Sequence, residues 1–201
     1  MCYNSLVMKY VLGIFGVIFV AIIAIVLITH GGGDKRPVVK PLVVSEEARE
    51  GVSAVYTVQG AVVGENQRRA IRIIVNQDER RLEILSGYGE AVERSNTFSN
   101  TNAGFENFLV ALDQAGYNTK RPTRIDDERG ACPLGRRYIY ELREYSQEML
   151  RLWNTSCGGK LGNFNGRSTT VRRLFERQIP NYQKLVSGVD LTGTKVAKES
   201  N

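Results

Sequence analysis

Residues 11–29 read VLGIFGVIFVAIIAIVLIT, an uncharged run of nineteen positions, which matches the roughly 20 residues a helix needs to cross a bilayer. Such a segment is lost to any water-surrounded core, so the rest of the chain is expected to be a domain tethered to a membrane. The run exits through Ile28, Thr29, His30 and the glycines 31–33 without an Ala-x-Ala pattern, and no cysteine follows to take a lipid. An uncleaved single-pass anchor is therefore expected, with cleavage near the triple glycine as the alternative. MKYVLGIF from Met8 already has the charged-then-apolar order of a signal anchor, and a start there would remove Cys2.

Only Lys9 is basic before the run, while Lys35, Arg36 and Lys40 follow it. Flanking charge alone leans toward a cytoplasmic domain. Long domains translocate largely regardless of charge, and the cysteine pair discussed below suits an oxidising compartment. The expectation is a domain outside the cell membrane, with a cytoplasm-facing adaptor as the alternative.

The boundaries read as a short segment over 1–10, the span over 11–29, a linker over 30–53, a folded domain over 54–186 and a frayed tail over 187–201. Pro37 and Pro41 interrupt a linker with no period of its own. Lys and Arg number 27 against 21 Asp and Glu; with only Lys9 before residue 31, five net positive charges remain beyond the span. That favours an anionic surface, although the charges are interspersed as on a solvated face.

Period two marks the strands. In AIRIIVNQ, Ile71, Ile73 and Val75 share a face; RLEILSGYG follows a polar turn at Asp78 and Glu79 with Leu82 and Ile84 aligned. With YTVQGAVVG these make a meander. Phe105, Phe108, Leu109 and Leu112 then fall at helical spacing, Asn102 is placed to cap them, and Gly116 stands where a left-handed terminator is wanted. Tyr138, Tyr140 and Leu142 answer Leu150 and Leu152 in a second hairpin, where the tyrosines and Trp153 are expected to pack rather than bind. Ser168 is expected to cap a last helix burying Val171, Leu174, Phe175 and Ile179, with Pro180 ending it. The expected fold is α+β: an N-terminal transmembrane helix, then an antiparallel sheet of about five strands with two helices on one face.

Residues opposed in an antiparallel hairpin have a constant index sum. A turn centred near Tyr145 predicts sums of about 290, and Cys132 and Cys157 add to 289. They are expected to face each other across the open end of the hairpin as a disulfide, given an irregularity at Pro133 or Gly135. Two buried free thiols are the alternative. A zinc site lacks ligands, because the chain has one His, at position 30, and no C-x-x-C; no metal and no cofactor are expected.

No catalytic motif stands out. CGGKLGNFNGRST departs from a phosphate loop, with Asn at 154 and Leu at 161. What survives is a glycine-rich loop before a helix N-terminus, which nominates Gly159, Lys160 and Arg167 for an anion or partner, joined by Arg172 and Arg173 on the last helix. The acidic run Asp126, Asp127 and Glu128 reads as an exposed loop. A histidine-based triad is missing from the domain, whereas Ser-Lys or carboxylate chemistry remains a formal alternative.

ERGACPLGRRYIYEL over 128–142, LRLWNTSCGG over 150–159 and VRRLFERQIPNY over 171–182 resemble uncharacterised single-pass envelope proteins of small-genome bacteria. The resemblance implies an outward-facing envelope domain and carries no known activity. The element order is also similar to small secreted protease-inhibitor domains, a likeness of fold alone. A type IV pilin would join a similar helix to a sheet with a cysteine pair, but the leader ending in Gly and the early Glu are missing. The expected role is non-catalytic: a membrane-anchored extracytoplasmic domain binding a protein or an anionic envelope polymer, with no specific nucleic-acid partner. An envelope enzyme is the first alternative, ahead of the cytoplasm-facing adaptor.

Overall fold

In a computed structural model, the structure describes residues 42–125, 127–158 and 161–193. The expected span over 11–29 lies outside them; among the described residues no helix is long and apolar enough to cross a membrane.

Six strands form one antiparallel sheet: β1 Val52–Gln59, β2 Arg69–Val75, β3 Glu79–Ser86, β4 Ala91–Ser99, β5 Arg137–Glu144 and β6 Gln147–Thr155. Their spatial order is β4-β3-β2-β1-β5-β6. The first four make a meander. The chain then recrosses the sheet so that β5 pairs with the free side of β1, Tyr56 opposite Tyr140 and Val58 opposite Tyr138. Helices α1, Asn102–Gln114, and α2, Ser168–Gln178, contribute to one core with the sheet, and a short α3, Tyr182–Leu185, follows. The fold is α+β, and the strand count is six rather than about five. The sixth is β4, an edge strand whose residues are mostly exposed, so AVERSNTFS shows no apolar alternation for a two-residue period to find.

One face of the sheet builds the core. Ala54, Tyr56, Ile73, Leu82, Tyr140, Leu142 and Leu152 meet Phe105, Leu109, Leu112, Val171 and Phe175, all almost fully buried. Tyr56 stacks on Phe175 at 5.4 Å between ring centroids, and Phe108 meets the same ring edge-on at 5.0 Å, offset geometries that suit the ring quadrupoles. Tyr117 is buried on this side with its hydroxyl 2.8 Å from the carbonyl oxygens of both Val55 and Glu141.

The helix ends differ from expectation by one residue. Thr101, not Asn102, caps α1, its hydroxyl accepting from the Gly104 N–H at 3.1 Å; Gly116 takes φ 76° just beyond the C-cap Ala115, as the glycine was expected to. Arg167, not Ser168, is the N-cap residue of α2. The Ser168 hydroxyl instead lies 2.7 Å from that of Tyr140, tying α2 to β5.

The domain boundaries extend past those read from composition. Within the expected linker, Val44 is fully buried beneath α1 in a 3-10 turn and β1 opens at Val52. Within the expected tail, Val189 and Leu191 pack on the core, and the Leu191 carbonyl accepts from the Ala61 N–H at 2.9 Å. Short apolar contacts of this kind carry no periodic signal.

Candidate functional site

Among the described residues the opposite face of the sheet carries no helix, and its register sets charge in rows. Arg72 of β2 stands opposite Glu83 of β3, Glu141 of β5 opposite Arg151 of β6, and Gln59 of β1 opposite Arg137 of β5. Period two placed these polar residues on the side away from the core, where water is the ordinary neighbour. Two loops cover them instead. The β3–β4 turn brings Tyr88 and Glu90 over one side, and the segment before β5 brings Glu128, Arg129 and Gly130 over the other. Between them lies a cleft of about 490 Å³ floored by Thr57, Gln59, Ile139 and Glu141.

Six arginines and three glutamates line the cleft: Arg68, Arg72, Arg129, Arg137, Arg143 and Arg151 against Glu90, Glu128 and Glu141, with no Lys, Ser or His among the lining residues. Four of the arginines are paired. Arg151 grips Glu128 at 2.6 and 2.8 Å and approaches Glu141 at 3.4 Å; Arg143 holds Glu141 at 2.8 Å; Arg72 pairs with Glu90 and, at 3.5 Å, with Glu83; Arg129 pairs with Asp127. Such charge-assisted forks fix side-chain orientation as well as adding attraction.

Glu128 corrects the reading of residues 126–128 as an exposed acidic loop. It is 5 % exposed. Burial presses its carboxyl upward, but the hydrogen bond from Arg151, a backbone N–H and the Arg151 charge outweigh that and hold it below the usual glutamate range. Arg151 is raised in turn, chiefly by its bond to Glu128. Asp127 is half-exposed, its carboxyl lowered first by the Arg129 side chain, and Asp126 lies outside the described residues.

Arg68 and Arg137 are different. They are 5 % and 2 % exposed, and no carboxylate lies within ion-pair distance of either among the described residues. Arg137 is held by neutral acceptors: Gln59 Oε1 at 3.3 Å, the Ala131 carbonyl at 3.5 Å and the Gly60 carbonyl. Arg68 donates one hydrogen bond, 3.2 Å to the Gly87 carbonyl, and lies 4.5 Å from the Tyr88 ring centroid; its buried Nε has no partner. Burial first, and then the neighbouring Arg68 charge, lower the Arg137 pKa from arginine's ordinary value.

The residues nominated from the sequence are placed elsewhere. Cys132 and Cys157 form the expected disulfide, Cα–Cα 5.7 Å. It sits beyond the paired ladder, whose index sums run at 292 and 291 rather than 290; Cys132 reaches its partner from a turn closed by the Gly135 N–H on the Cys132 carbonyl at 3.0 Å, the irregularity that the sums require. Gly159 and Lys160 lie outside the described residues. Arg167 donates to the carbonyl of Gln114 at the end of α1, Arg172 approaches Glu176 at 3.7 Å, and Arg173 is exposed. Arg167 is thereby committed to the orphan carbonyls of another helix. Tyr138 and Tyr140 turn toward the helices, whereas Trp153 lies on the other face with Ile139 and Ala131.

Arg68, Arg137 and the Glu90 turn escape sequence reasoning because long-range folding alone assembles them. No protein-family model matches the chain, and no curated protein or solved structure matches it either.

Proposed function

We propose that the chain is a membrane-anchored extracytoplasmic binding domain, without catalytic activity of its own, whose ligand surface is the helix-free face of the sheet and whose ligand is an anionic polymer or protein segment of the cell envelope. The observation that carries this reading is the arginine excess in the cleft, six against three glutamates, where low-dielectric protein walls concentrate positive potential. The disulfide supports an oxidising location, and the apolar run over 11–29 supports the anchor.

The three cleft glutamates are what an enzyme reading would use. Each is engaged by an arginine, and the Glu128 carboxyl is held low, opposite to the upward tuning a general acid needs near neutral pH. Binding is the reading we place first.

The test uses the full chain in detergent micelles with poly(glycerol phosphate) and alginate as probes. Binding should weaken steeply with salt, and reversing Arg129 and Arg143 to Glu should weaken it more than reversing Arg172 and Arg173 on α2. Equal or greater loss from the α2 pair moves the surface to the last helix, and failure to retain either polymer at low salt removes the reading. The anchor is tested separately: the chain should stay with membranes in alkaline carbonate, and quantitative release at native length refutes it.

A further inference from the structure

We propose that the end of the cleft between Arg68 and Arg137 seats a single oxyanionic group, a carboxylate or a phosphoryl group, of a ligand whose body lies along the floor formed by Thr57, Ile139 and Glu141. The inference rests on the helix-free face being the ligand surface, and it names one place on that face where a particular chemistry is required.

The argument begins with the cost of burying charge. A guanidinium removed from water without a counter-charge loses hydration that neutral acceptors replace only in part. Of the six arginines that line the cleft, the four with carboxylate partners include the most exposed, Arg129 and Arg143, while the two without any are almost wholly buried. Ion pairing thus fails where the structure needs it most. The two unpaired guanidiniums also neighbour each other, and like charges held together in a low-dielectric end of a cleft create a potential that one anion relieves.

The local geometry leaves donors for that anion. Arg68 uses one N–H on the Gly87 carbonyl and keeps its Nε unpartnered and buried; the fork of a guanidinium suits the two oxygens of a carboxylate or phosphoryl group. Gln59 ties the site to the walls, accepting from Arg137 at 3.3 Å and donating to Glu90 at 3.1 Å. Glu90 divides its two oxygens between Gln59 and Arg72, so among the described residues no carboxylate forms an ion pair with Arg68 or Arg137. Tyr88, half-exposed, lies with its ring against the Arg68 guanidinium and lines the same cleft. At about 490 Å³ the cleft accepts a ligand of sugar-acid or sugar-phosphate size.

The experiment follows the Arg Nε–H resonances of the full chain in micelles while inorganic phosphate, or in a second arm sodium acetate, replaces chloride at constant ionic strength. The Arg68 Nε–H should shift saturably in at least one arm: saturation by phosphate marks a phosphoryl ligand, saturation by acetate a carboxyl ligand. Arg68→Gln should weaken that binding at least about tenfold, the loss expected for one charge-assisted fork, and Arg173→Gln, exposed on α2 and outside the cleft, should leave it within about twofold. Arg137→Gln is avoided as the sole variant because it also removes the tie to Gly60. No saturable shift in either arm, or unchanged affinity in Arg68→Gln with its fold intact by the Trp153 fluorescence, overturns the inference. Polymer retention that persists while neither small anion binds sinks this site and leaves the proposed function standing; anion binding without polymer retention does the reverse.

Discussion

Replacing both cysteines, Cys132→Ala with Cys157→Ala, measures what the disulfide contributes. The bridge closes a loop of 25 residues, and the chain-entropy relation gives about 3.5 kcal/mol at 25 °C for that length, taken from the unfolded state. A domain of about 150 residues gains unfolding entropy of roughly 0.3 kcal/mol per degree, so the melting temperature should fall by about 11 °C. Trp153 is the only tryptophan, 1 % exposed on the strand that runs into Cys157, and its fluorescence reports unfolding of the full chain in micelles by urea or heat. The reduced wild type should behave like the double variant, and Cys2, present in both, drops out of that comparison. A loss below about 1 kcal/mol would refute the entropic argument and mean that the β5–β6 ladder already restricts the unfolded chain without the bridge.

Other perturbations separate the two faces of the sheet. Tyr117→Phe removes a buried hydroxyl shared by the Val55 and Glu141 carbonyls and should cost about 1–2 kcal/mol in urea unfolding. Gly162 has φ 99°, and a Cβ there would lie 2.2 Å from the Trp153 carbonyl oxygen, so Gly162→Ala should cost more than about 2 kcal/mol, read by the same fluorescence. The Glu128 carboxyl is lower in the folded chain than in the unfolded one. Its contribution is therefore present above the unfolded glutamate pKa of about 4.3 and is lost as pH falls through the lower folded value, so Glu128→Gln should flatten the acid limb of the stability profile.

The core was legible and the open face was not. Ile71, Ile73, Val75, Leu82 and Ile84 alternate, and Phe105, Phe108, Leu109 and Leu112 recur at helical spacing, because one side of each element meets a continuous apolar layer. The cysteine pair was legible for a related reason: strand pairing is arithmetic, and the sum of 289 lies close to the observed 291 and 292. β4 was missed because neither of its faces is buried for most of its length. The candidate site was missed because its polar residues look in sequence like any solvated alternation. Arg72, Glu83, Glu141 and Arg151 hold the positions that period two assigns to open solvent; only the covering β3–β4 turn with Glu90 and the loop with Glu128 make a cleft of that face.

That distinction between a solvated face and a covered one sets up a test by substitution. Arg151→Met alone leaves Glu128, 5 % exposed, without its ion-pair partner, and breaking a buried pair from one side should cost about 3 kcal/mol. Adding Glu128→Leu removes the stranded charge. If the pair is a structural clamp between the covering loop and β6, the double variant should recover to within about 1 kcal/mol of the wild type, because two desolvation costs disappear with one attraction. The measured coupling would then place Glu128 and Arg151 among the groups that hold the cleft wall rather than among those that meet the ligand. A double variant as unstable as Arg151→Met alone would show instead that the loop is held by the shape of these side chains rather than by their charge, and the electrostatic account of the covered face would fail with it.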